Sequence, residues 1–137
     1  MKKEFSTHWK ASKQPRKQRK YSANAPLHIK RKLLSVNLSK ELRKKYGKRN
    51  VPIRKGDNVK IMKGKFKKKQ GKIIEVDVKN SKVIIEGVQV KKQDGSKANV
   101  KMHPSNLQII DLNTEDKKRI KEISKEKKKK EDKEDKK

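Results

Sequence analysis

Residues 56–78, GDNVKIMKGKFKKKQGKIIEVDV, decide how this chain folds. Val59 and Ile61 alternate with Asn58 and Lys60, and Ile74, Val76 and Val78 alternate with Glu75 and Asp77. A period of two predicts two short strands, each turning one face to a core. Between them lies a Gly-bounded loop loaded with lysine. A strand–basic loop–strand unit of this kind builds a small barrel and holds cations at its rim.

The alternation continues to residue 112. Lys79-Asn80-Ser81 makes a turn, and Val83, Ile84 and Ile85 form the next run, ending at Gly87. Val88 and Val90 lead to the turn Gln93-Asp94-Gly95-Ser96, after which Val100 and Met102 resume the pattern. His103 and Pro104 break the chain before the last run, Leu107, Ile109 and Ile110, as Gly56 does before the first. Five short strands at this spacing predict a mainly β fold, a small five-stranded barrel. Closure would remove exposed strand edges.

Only this segment can fold unaided. Leu, Ile, Val and Phe number 29, and 19 of them fall within residues 51–112, against 8 in residues 1–50 and 2 in residues 113–137. The chain therefore divides into a basic arm (1–25), a segment of short helices (26–50), the barrel (51–112) and a charged tail (113–137).

Lys and Arg number 44 against 16 Asp and Glu, a formal charge of +28. Self-repulsion at that charge opposes compaction, so the expected partner is a polyanion. Nucleic acid fits best, because its backbone concentrates negative charge. No apolar run approaches the ~18 residues of a spanning helix, so no membrane insertion is expected. The first 20 residues are basic throughout, unlike a signal peptide, and the chain has no Cys, which suits a reducing cytoplasm.

In the arm, Lys10, Lys13, Arg16, Lys17, Arg19 and Lys20 are interleaved with Trp9 and Tyr21, and no self-supported structure is expected there. Such arms order on RNA, with aromatic rings stacking on exposed bases. Asn24-Ala25-Pro26 predicts a helix start with Asn24 as cap, Leu27, Arg31 and Leu34 sharing one face. A second helix starts near Ser39, with Glu41 in its first turn, Lys44 and Lys45 near its end, and Gly47 as its stop. Thr114-Glu115-Asp116 predicts a third, followed by Ile120, Ile123 and a Lys/Glu/Asp tail after Ser124 that is expected to fray.

The stretch 56–78 resembles a KOW motif, the strand–loop–strand element of several ribosomal and transcription proteins. The motif has a Gly between its strands, here Gly71, which serves either positive φ or close approach of another backbone. The surrounding residues narrow the resemblance. Three elements, SKELRKKY (39–46), VPIRKGD (51–57) and HPSN (103–106), are similar to the family of the universal large-subunit ribosomal protein numbered twenty-four in bacteria. The likeness is strongest to its archaeal form and the eukaryotic relative numbered twenty-six, over about Leu27 to Asp111. One departure is Lys67-Lys68-Lys69, where relatives often have a loop Gly. The resemblance implies an SH3-like barrel bound to the 5′ part of the large-subunit rRNA and acting early in subunit assembly. It also implies a cytoplasmic, ribosomal location near the polypeptide exit, with neighbouring large-subunit proteins and exit-site docking factors as partners.

Lys60, Lys63, Lys65, Lys67, Lys68, Lys69 and Lys72 crowd the two strands and their loop, with no acid between Asp57 and Glu75. A solvated face would explain some of these lysines, but the run exceeds what solubility asks for. Phosphate contact, which positions a protein without reading sequence, is the expected role. Arg31, Arg43, Arg49, Arg54 and Lys55 join the candidates, since guanidinium forks onto phosphate and stacks. Phe66 either stacks on a base or plugs the barrel end. Trp9, with polar sequence neighbours, reads as an RNA contact rather than a core residue.

His8, His28 and His103 are widely separated, so no metal site is expected; His103 reads as a turn or capping residue. Glu75 and Asp77 share the ordinary solvent face of a strand. With no nucleophile–base pairing and no phosphate-cradling Gly loop, neither an enzyme nor a cofactor is expected. Two rivals remain: a KOW-type transcription elongation factor and a DNA-packing protein, the latter on charge alone.

Overall fold

The computed structural model describes residues 5–116 together with Lys118 and Arg119. Three helices, α1 (Pro15–Asn24), α2 (Leu27–Leu33) and α3 (Lys40–Tyr46), accompany seven strands. The strands are β1 (Ser35–Leu38), β2 (Asn50–Pro52), β3 (Asn58–Ile61), β4 (Gln70–Asp77), β5 (Lys82–Lys91), β6 (Lys97–Met102) and β7 (Leu107–Asp111). The mainly β expectation holds.

The five expected runs are β3 to β7, but they do not stand alone as a closed five-stranded barrel. They form part of an open mixed sheet in the order β2-β1-β7-β3-β4-β5-β6. The reason is at β7. Its outer edge, which closure would need, pairs in parallel with β1 through Asn37↔Gln108 and Leu38↔Ile109, and β1 in turn pairs antiparallel with β2. The segment expected as short helices thus contributes strands as well. Val36 and Leu38, both buried, alternate with exposed Asn37 and carry the strand period.

α3 matches its sequence signals. The Ser39 hydroxyl accepts the Leu42 N–H at 3.3 Å, Glu41 lies in the first turn, and Gly47 closes the helix at φ 61°. The start of α2 does not. Asn24 ends α1 instead, and Pro26 precedes α2 without a side-chain cap. Leu34 is buried while Leu27 is exposed, so the two do not share a buried face. The arm differs too: a 3₁₀ turn at His8–Ala11 and α1 occupy it, neither with a buried residue.

The core joins both ends of the sheet: Val51 of β2 and Met102 of β6 belong to one buried cluster with Leu34, Val36, Leu38, Val59, Ile61, Ile73, Ile85, Leu107 and Ile109. Early in β4 the inward residue is Ile73, while Ile74 is exposed, a reversal of the expected face there; beyond it Val76 and Val78 pack against the core as expected. A register shift between Ile73 and Glu75 causes the reversal, because one inserted residue flips the faces on either side of a bulge. Gly71 is not a turn residue. It lies within β4 opposite Val59, and a β-carbon there would sit 2.6 Å from the Glu86 carbonyl oxygen and 2.8 Å from Ile85 Cγ2. Of its two expected roles, close approach is the one realised. Gly56, at φ 89°, is a true turn glycine. His103 and Pro104 also hold as turn residues: His103 Nδ1 accepts the Ser105 N–H at 3.2 Å, and Pro104 opens a 3₁₀ turn into β7. Ile120, Ile123 and the tail after Ser124 lie outside the described residues.

Candidate nucleic-acid interface

The loop between β3 and β4 is a built structure. Met62 N–H donates to the Asn106 carbonyl and Lys68 N–H to that of Ile61, both at 2.8 Å, while Ile61 N–H donates to the Lys69 carbonyl at 2.9 Å. Inside it, Lys67 N–H reaches the Gly64 carbonyl at 3.0 Å and Lys69 N–H that of Phe66 at 3.1 Å. Closing so tight a loop takes left-handed backbone at Gly64 (φ 92°) and at Lys68 (φ 74°). A lysine bears that conformation at a cost of about 1 kcal/mol. The Lys67-Lys68-Lys69 departure therefore keeps a glycine-like loop shape while adding cations.

Lys63, Lys65, Lys67, Lys68, Lys69 and Lys72 are all exposed, and Lys60 is half-buried. None of them has a carboxylate partner among the described residues. Phe66 is half-buried and packs against the core, with Lys69 Nζ 5.3 Å from its ring centroid. The fold thus anchors one aromatic and turns the cations outward.

The other candidates divide. Arg31, Arg54 and Lys55 border one groove of about 760 Å³ between α2, the β2–β3 connection and β4. Lys55 and Lys72 also share a smaller depression beside Gly56. Arg54 is engaged by the Asp116 carboxylate, whose pKa is lowered chiefly by that side-chain hydrogen bond and next by the Arg119 N–H. Arg43 turns inward, its Nε donating to the Leu38 carbonyl at 2.9 Å, so it ties α3 to β1. Arg49 is exposed.

In the arm, the Gln18 side-chain amide donates to the Lys10 and Ser12 carbonyls and fixes α1 against the preceding turn. Lys10, Lys13, Arg16, Arg19 and Lys20 are exposed around this unit. Trp9 is 52% exposed, with Lys17 Nζ 4.0 Å from its ring centroid. Trp9 is not isolated from other aromatics: with Tyr21, which pairs with Phe5 at 5.0 Å between centroids, it lines a cavity of about 320 Å³. Lys17 and Lys20 line it too.

Sequence reading missed one pair altogether. Arg119 places Nη1 2.6 Å from Asp57 Oδ1 and Nη2 2.8 Å from Asp57 Oδ2, with both residues buried. The same carboxylate accepts the backbone N–H groups of Arg54 at 2.9 Å and Asn113 at 3.0 Å. Neither Asp57 nor Arg119 stood out in the sequence as a pairing candidate. Their separation of 62 positions left no local signal.

Residues 12–127 match the family model of the eukaryotic ribosomal proteins L26 and their archaeal counterparts, which carry the number twenty-four. The match is wider than the stretch carrying the resemblance, and it sets aside the elongation-factor and DNA-packing alternatives.

Proposed function

This chain belongs to that ribosomal family, as a structural, non-enzymatic protein of the large subunit, and from this premise we propose that it binds the 5′ part of the large-subunit rRNA. The observation that carries the reading is the β3–β4 unit, where six exposed lysines surround a loop held rigid by its own backbone bonds. A rigid loop presents its charges without ordering them first, which lowers the entropic cost of docking. Phosphate contact by this loop positions the protein, while RNA shape and stacking supply specificity. Arg31, Lys55 and the arm cations extend the surface, with residues 1–25 reaching between RNA helices and 51–112 forming the main body.

The wider proposal follows the family resemblance: cytoplasmic action within the ribosome, early in subunit assembly, near the polypeptide exit and beside neighbouring ribosomal proteins and docking factors. Among the described residues no helix is long and apolar enough to cross a membrane.

Direct binding of the full chain to a 5′ fragment of large-subunit rRNA tests the reading. Affinity should fall steeply with salt, at about −0.7 to −0.9 in log–log slope per phosphate neutralised. Replacing Lys67, Lys68 and Lys69 together by Gln should flatten that slope by about 2. Equal affinity for an unrelated structured RNA, or an unchanged slope in the triple variant, would overturn it.

A further inference from the structure

We propose that the cavity between the 3₁₀ turn at His8–Ala11 and α1 is a receptor for a single unpaired nucleobase, which takes the place of the Lys17 ammonium on the Trp9 ring. The proposal rests on the reading that the chain binds RNA, and it assigns a distinct job to the arm.

The cavity, about 320 Å³, is of the size usual for a small-ligand pocket. Its walls combine three chemistries. Trp9 and the Phe5–Tyr21 pair offer flat π-faces, while Lys17 and Lys20 bring positive charge and Asn24 an amide that both donates and accepts. Among the described residues no acid lines it and two lysines do, a charge that disfavours an aromatic cage for a cationic ligand. An acidic peptide would satisfy the lysines but leave the rings without a flat partner. An unpaired nucleotide meets all three demands: a π-face for the rings, a polar edge for Asn24 and a phosphate for the lysines.

In the free protein the indole face is already in use, with Lys17 Nζ 4.0 Å from its centroid. That contact keeps a half-exposed tryptophan in place without burying it. A base entering the cavity stacks on the indole and releases the ammonium to the phosphate beside it. One cation–π contact is thereby exchanged for a stacking contact and a phosphate contact, so the free arm is held near its binding-competent shape. Neither the turn nor α1 contains a buried residue, so the exchange leaves the sheet's core undisturbed.

Trp9 is the only tryptophan in the chain, so its fluorescence reports on this cavity alone. The test titrates the full chain with two RNA hairpins of equal length, one fully paired and one carrying a single bulged adenosine. The bulged hairpin should bind about tenfold more tightly and quench Trp9 emission, in keeping with one base stacked on an aromatic ring. Trp9→Leu should erase the difference between the hairpins, and Trp9→Phe should retain most of it. Equal affinity without quenching overturns the receptor yet leaves the RNA reading intact; equal quenching by both hairpins overturns it as well, because the ring would then be sensing backbone. Failure of the RNA reading itself would appear separately, as loss of preference for the rRNA fragment.

Discussion

The Arg119 guanidinium lies fork-on-fork against the Asp57 carboxylate inside the protein, the two residues 4% and 0% exposed. Arg119 Nη2 also donates to the Pro52 carbonyl at 3.0 Å, so one side chain ties the chain beyond β7 to the end of β2 and the start of β3. Its Nε is buried with no hydrogen-bond partner among the described residues.

Removing one member of such a pair strands the other charge. Arg119→Met should therefore destabilise the fold by about 3 to 5 kcal/mol, with Asp57→Leu/Arg119→Met recovering much of that loss. Urea unfolding of the three chains decides it; a double variant no better than the single would remove charge isolation as the cause. Truncation after Asp116 should resemble Arg119→Met, whereas deletion of 124–137 should spare both stability and RNA binding.

Gly71 is crossed by β5 at a distance that excludes a side chain. Gly71→Val should lower stability by about 1 to 3 kcal/mol through overpacking against the Glu86 backbone and Ile85. A thermal melt within a degree of the parent would mean that β5 can retreat there.

Lys68 is the position where conformation and charge can be separated. Lys68→Asn and Lys68→Val remove the same cation, but only valine is poorly suited to the left-handed backbone at φ 74°. The expected outcome is equal loss of RNA affinity, with the valine chain about 1 kcal/mol less stable than the asparagine chain. Equal stability of the two would dismiss strain in the loop.

Asp77 holds the β4–β5 turn. Its pKa is lowered below the ordinary 3.8, first by the Asn80 side-chain amide and then by the Asn80 backbone N–H. A depressed folded-state pKa contributes stability that is fully present above the unfolded value, here near pH 4, and is lost as pH falls through the folded value. Carboxyl NMR titration should place the Asp77 midpoint below that of an unstructured Asp, and Asn80→Ala should raise it. An unmoved midpoint would deny the side-chain bond its role.

Much of this was legible in the residues. Val59, Ile61, Val83, Ile85, Leu107 and Ile109 lie inward as their alternation demands, because a strand exposes alternate side chains to one face. α3 announced both of its ends. The loop lysines were marked by their number and by the missing acids, and they stand exposed. What escaped depends on encounters between distant segments. Ile73 rather than Ile74 faces inward because β4 slips against β5, and β1 exists as a strand because β7 offers it an edge. The aromatic cavity of the arm arises only when α1 brings Tyr21 back toward Trp9.

Although Leu34, Val36 and Leu38 joined the core from outside the expected segment, the sequence by itself determined where most of the core lay, where the charge lay and several of the local turns. Those depend on composition, on periodicity and on neighbours a few residues away. Only the tertiary structure decided that the sheet stays open, that Gly71 serves a close crossing, and that Asp57 is neutralised from beyond β7 by Arg119. Each of these is a contact between residues far apart in the chain, and its energy exists only once the segments have met.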